Sequence, residues 1–112
     1  MQRCCGAAAQ RAGVGLAEIG YYGFSTPLAW FSRMCVDALG VDPARTLDLF
    51  PRLANVGAPF PFVNLYHALA EGRARAGDLV MFYTVGSVSS AGAAVARLGE
   101  IALGPAPCTV LR

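Results

Sequence analysis

The hydrophobic pattern changes period several times along the chain, and each change predicts a new element. Residues Arg3 to Ala12 are alanine-rich and favour a helix, closed by Gly13 just past its C-terminus. No cap precedes that helix, so it reads as the tail of a longer one. Ile19 to Phe24 is a short apolar run containing Gly20 and Gly23, the pattern of a buried strand packed closely against a neighbour. Ser25-Thr26-Pro27 then supplies an N-cap and a first-turn proline. Leu28, Phe31, Met34, Cys35, Ala38 and Leu39 follow at helical spacing as far as Gly40. Asp42 is placed to cap a helical turn starting at Pro43, and Thr46 to Phe50 predicts a short strand.

Asn55 to Pro61 holds Gly57, Pro59 and Pro61, which predicts a loop running into a helix N-terminus. The helix shows Phe62, Leu65, Tyr66 and Leu69 on one face and ends at Glu71-Gly72. His67 falls off that stripe and reads as an exposed or flanking side chain. Gly77-Asp78 is a turn signal that opens a wholly apolar run, Leu79 to Val85, rich in β-branched and aromatic residues. A Gly/Ser-rich segment, Gly86 to Gly92, leads to a second apolar run, Ala93 to Leu98. The prediction is two buried strands joined by a small-residue loop, whose backbone N–H groups can approach a ligand closely.

Composition changes this picture in one respect. The 112 residues are 55% hydrophobic and only 14% charged, so some apolar surface is expected to be covered by an element outside this chain. A net charge of +2 is too small to predict a nucleic-acid partner, and the absence of lysine among the nine basic residues reads as coding bias. The uncharged stretches Leu53 to Ala70 and Leu79 to Ala96 are broken by prolines and by the Gly/Ser segment. Neither predicts a membrane span, and no membrane partner is expected. Arg11 ends the opening apolar run too early for a signal peptide, so the expected location is cytoplasmic. Cys4, Cys5, Cys35 and Cys108 have no metal-ligand spacing and read as small buried thiols. No metal and no covalently bound cofactor is expected.

Several motifs share one resemblance. Asn55-Val-Gly-Ala-Pro, Ala70-Glu71-Gly72-Arg73, Gly77-Asp78-Leu79-Val80, Val85-Gly86-Ser87 and Ala94-Val95-Ala96-Arg97 resemble the end of the β-ketoacyl-acyl-carrier-protein synthase III family. Glu18-Ile19-Gly20-Tyr21-Tyr22 resembles the strand before that family's catalytic His, and Val36 to Val41 the end of the helix after it. The resemblance runs from about Arg3 to Leu98 and corresponds to roughly the last third of a family protein. It implies an α/β fold, the C-terminal half of a thiolase-like fold, with a mixed sheet and helices on both faces. That sheet would end in the antiparallel pair Leu79–Val85 and Ala93–Leu98. Residues 1–99 would form the domain, truncated at its N-terminus, and residues 100–112 a tail.

The family's enzymes condense an acyl-CoA with malonyl carrier protein. The resemblance therefore implies an acyltransferase acting on acyl-CoA or acyl carrier protein thioesters, in fatty acid or polyketide-type biosynthesis. Asn55 falls where the family has a catalytic Asn that donates a hydrogen bond to the thioester carbonyl. Without the family, Asn55 reads as a loop residue capping the next helix. Gly86 and Ser87 fall in the Gly-rich loop whose backbone N–H joins an oxyanion hole, and a plain hairpin turn is the alternative. Ser25 stands at the position of the catalytic His, where a hydroxyl cannot serve as base or cationic donor near neutral pH. The nucleophilic Cys belongs to the family's first half, and none of the four cysteines here has a matching context. The chain alone is expected to be inert. It would act with a Cys-bearing N-terminal half or a homologous subunit, as a homo- or hetero-oligomer such as a dimer. The alternative is a non-catalytic interaction or scaffolding subunit.

Overall fold

Three apolar segments pair into one sheet, the first two of them largely buried. The structure is a computed structural model that describes residues 1–86 and 90–105. Strands β1 (Tyr21–Phe24), β2 (Leu79–Val85) and β3 (Ala91–Arg97) lie in the order β1-β2-β3. β1 runs parallel to β2 with Tyr22 opposite Met81, and β3 returns antiparallel with Ala96 opposite Val80. The sheet is mixed and ends in an antiparallel pair, as expected, with β3 starting at Ala91 instead of Ala93. The helices are α1 (Gln2–Ala12), α2 (Phe31–Leu39), α3 (Phe50–Leu53) and α4 (Phe60–Ala70).

Alternate strand residues point to opposite faces, and each face has its own helices. Tyr22, Phe24, Met81 and Tyr83 pack on one side with Cys5 and Ala9 of α1 and with Phe31, Cys35 and Val36 of α2. The Phe31 ring stacks on Tyr83 with centroids 6.4 Å apart. Tyr21 and Val80 pack on the other side with Leu65 and Ala68 of α4, and with Ala74 and Leu98. Each large apolar side chain buried this way stabilises the fold by about 1.5–3 kcal/mol. Gly13 and Gly40 end α1 and α2 at φ 68° and 64°, left-handed values that glycine adopts without strain. Asp42 Oδ1 accepts from Ala44 N at 2.9 Å, capping the turn at Pro43. No helix among the described residues is long and apolar enough to cross a membrane.

The structure departs from the sequence pattern in three places. The helix expected at Ser25-Thr26-Pro27 begins at Phe31. Ser25 N donates to Tyr83 O at 2.9 Å, which prolongs the parallel ladder and keeps the chain extended where a cap was expected. Thr46 to Phe50 is not a strand. Thr46 Oγ1 donates to Tyr22 O at 2.7 Å and Asn64 Nδ2 donates to Phe24 O at 3.4 Å, so side chains take edge carbonyls that a further strand would have paired. The third departure is the orientation of α4. Its buried residues are Phe60, Pro61, Asn64, Leu65, His67 and Ala68, while Phe62 is 66% exposed. Gly23 explains the rotation, because a Cβ there would stand 3.1 Å from Pro61 O and 3.2 Å from Phe82 Cδ1. The bare backbone at Gly23 draws in the Pro61 edge of the helix, and His67 is buried with it.

His67 is accordingly buried, where its spacing predicts an exposed or flanking side chain. Burial, reinforced by the nearby Arg52 guanidinium and opposed by Glu71, holds its imidazole below the ordinary 6.5. Its Nε2 has no hydrogen-bond partner among the described residues. His67 therefore contributes stability that is complete above the ordinary value and is lost as pH falls through the lowered one. Urea midpoints measured at pH 7.5 and pH 5 should fall more in the native sequence than in His67→Gln (both pH values chosen about the ordinary histidine range). An equal fall in both would assign the acid sensitivity elsewhere.

The glycines give a second check, because two of them sit in opposite environments. Gly23→Ala should destabilise by about 1–3 kcal/mol through overpacking against α4. Gly6→Ala, inside α1 with no neighbour within 4 Å, should stabilise by about 0.5–1 kcal/mol. Chemical denaturation of the two variants measures both, and a neutral Gly23→Ala would contradict the close approach.

Candidate functional site

In open sheets with parallel strands, ligands gather at the C-terminal ends of those strands. Ser25 follows β1, Gly86 follows β2, and residues 54–59 lead into α4, so the candidate residues all belong to connections at that end. A groove of about 300 Å³ lies there, lined by Ala58, Pro61, Phe62, Phe82, Thr84 and Gly92 to Ala94. The Phe62 and Phe82 rings form its apolar wall, with centroids 5.2 Å apart. The groove is bordered by the Asn55 loop through Ala58 and by the β2–β3 hairpin through Thr84.

Asn55 does not cap a helix; Pro59 holds that position before Phe60. Its Oδ1 accepts from Gly57 N at 2.8 Å. A backbone N–H can only donate, so the atom facing it must be the amide oxygen. That contact turns Nδ2 outward, with no partner among the described residues, from an exposed side chain. The preceding Ala54 has φ 53° and ψ −148°, a conformation that costs an L-residue about 1–3 kcal/mol. Ala54 N still closes α3 on Phe50 O at 2.8 Å, so the strained residue is where the chain is redirected into the Asn55 loop.

Gly86 shapes the hairpin. Its N–H donates to Ser90 O at 2.7 Å, so its own amide is engaged within the hairpin. A Cβ at Gly86 would collide with Ser90 Oγ. Ser87 lies outside the described residues, as does Cys108. Ser25 is buried at 5% exposure, and its Oγ is closed off from solvent and has no partner among the described residues, as is the case for Oγ1 of Thr26. The Ser25 hydroxyl is therefore not brought to the open groove.

Cys5 and Cys35 are fully buried, and desolvation pushes their thiols up to about 11 and about 12. Neither is a thiolate near neutral pH, which removes both as nucleophiles. Among the described residues, no three His, Cys, Asp or Glu side chains gather where they could hold a metal ion.

Sequence reasoning missed Asn64. Its Nδ2 donates to Leu47 O at 2.9 Å as well as to Phe24 O, and its Oδ1 accepts from Tyr21 OH. The available signal was a carboxamide among apolar neighbours in a helix, a residue type that is buried only when bonded. Gly57 was read as a loop former, although Asn-x-Gly also spells the side-chain-to-backbone turn seen here.

The family described as 3-oxoacyl-[acyl-carrier-protein] synthase III C terminal matches residues 9–98. No curated protein matches. Among solved structures, the β-ketoacyl-[acyl carrier protein] synthase III (FabH) of Thermus thermophilus superposes with a TM-score of 0.82 at 23% identity, over 88% of this chain and 31% of that one. FabH from Pseudomonas aeruginosa gives 0.82 at 19% identity, over 92% and 32%. OleA from Xanthomonas campestris gives 0.73 at 25% identity, over 84% and 29%. The chain thus spans about a third of the length of these proteins. With residues 9–98 matched and a mixed sheet carrying helices on both faces, the chain belongs to the 3-oxoacyl-[acyl-carrier-protein] synthase III C-terminal family.

Proposed function

We propose that this chain is the C-terminal, thioester-binding part of a 3-oxoacyl-acyl-carrier-protein synthase III-like acyltransferase, taking acyl-CoA or acyl carrier protein as substrate. The observation that carries the reading is the orientation of Asn55. With Oδ1 held by Gly57 N–H, Nδ2 is left as a donor on the loop that borders the apolar groove through Ala58. A fixed donor is suited to the oxygen of a thioester carbonyl as negative charge develops on it. Ser87 falls in the family's Gly-rich loop, and the reading takes its backbone N–H as the second donor. The nucleophilic Cys comes from a Cys-bearing half or a homologous subunit, in a homo- or hetero-oligomer, and these residues alone are inert. Ser25 takes the place of the family's His without its basicity, which favours acyl transfer to another acceptor over decarboxylative condensation.

A second reading, a non-catalytic subunit that pairs with an active homologue, is favoured by the enclosed Ser25 hydroxyl and by exposed Leu28, Trp30 and Phe62. Size-exclusion and unfolding of the isolated chain test the partner that this reading requires. A monomer that unfolds cooperatively counts against an obligate partner.

The experiment is acyl transfer from an acyl thioester, measured on the assembly that supplies the acylated Cys. Asn55→Asp keeps the acceptor for Gly57 N–H but loses the donor. It should lower kcat about 10²–10³-fold with an unchanged melting temperature. Full activity in that variant would remove Asn55 from the mechanism. Carbon dioxide release from a malonyl thioester should stay at background, and robust release would overturn the assignment of simple transfer.

A further inference from the structure

The end of the sheet opposite the groove carries a polar cleft of about 420 Å³ that the acyl-transfer reading does not use. Arg45, Arg73 and Arg75 line it, together with Glu18 and Asp78. Arg45 is held in place, its Nη1 donating to Ala17 O at 3.1 Å and Ile19 O at 3.0 Å. A guanidinium has five N–H donors, so that anchorage leaves several free. Arg73 meets Glu71 at 3.6 Å in an exposed pair, the kind that contributes little. The Arg75 guanidinium has no partner among the described residues.

The two carboxylates in the cleft are turned toward backbone amides. Glu18 Oε2 accepts from Gly15 N at 2.6 Å, and Asp78 Oδ2 accepts from Arg75 N at 3.0 Å. Neither forms an ion pair with the three arginines, although all five groups line one cleft. The guanidinium groups therefore stay available to an outside anion. One guanidinium can satisfy a carboxylate through two parallel bonds, whereas several around one cavity match the larger oxygen count and charge of a phosphate.

We propose that this cleft binds a phosphate group through Arg45, Arg73 and Arg75, either as the free ion or as a monoester on a small molecule. The test is an amide-resolved NMR titration of the chain at pH 7.5 and constant ionic strength, with inorganic phosphate, phenyl phosphate and acetate as probes. Saturable shifts at the amides of Gly20, Gly72, Arg73 and Arg75 are expected, with phosphate at least tenfold tighter than acetate (about 1.4 kcal/mol per tenfold). Phenyl phosphate binding as well as the free ion identifies a monoester site, and its exclusion identifies a site for the ion itself. Arg75→Gln, which breaks no side-chain hydrogen bond or ion pair among the described residues, should weaken phosphate at least threefold while the rest of the spectrum is unchanged. Equal binding of acetate, shifts away from these amides, or full affinity in both Arg75→Gln and Arg73→Gln would overturn the proposal.

Discussion

A buried carboxamide on α4 holds this fold in register. Asn64 has no solvent exposure, yet its oxygen accepts from the Tyr21 hydroxyl and its nitrogen donates to Leu47 O and Phe24 O. A buried carboxamide left unbonded would be strongly destabilising, so its presence here depends on all three partners being in place. Those partners lie on β1 and on the segment before α3, which makes one side chain the tie among three pieces of chain. Burial raises the Tyr21 phenol above its ordinary range, which favours the protonated form that donates to Asn64.

The candidate site follows from that tie together with one glycine. Gly23 lets the first turn of α4 come within contact of β1, and Asn64 fixes the helix there. The helix N-terminus then stands beside the C-terminal ends of β1 and β2, bringing the Asn55 loop next to the hairpin. Phe62 is left to face outward over Phe82, where it forms the groove instead of the core. The strain at Ala54 falls in the connection that this placement requires.

The elements set by strong local signals were legible in the sequence. Gly13, Gly40 and Asp42 end or begin helical turns as their chemistry dictates, and the long apolar run at Leu79 to Val85 is a strand buried on both faces. What could not be read depended on partners distant in sequence. Ser25-Thr26-Pro27 has good capping chemistry, but Ser25 N–H was drawn to Tyr83 O across the sheet. Thr46 to Phe50 has strand-like composition, but Thr46 and Asn64 side chains occupy the edge it would have paired. The orientation of α4 was decided by the bare backbone of Gly23, a constraint with no trace in the helix's own periodicity. Asn55 was singled out through the motif around it. The contact that orients its amide was implicit in Gly57, two residues on.

Asn64 and Tyr21 act as one unit in tying α4 to β1. A double-mutant cycle on Tyr21→Phe and Asn64→Ala, read by urea denaturation, tests it most directly. A coupling of about 1–2 kcal/mol between the two positions is expected. Losses that simply add, to within about 0.5 kcal/mol, would contradict it.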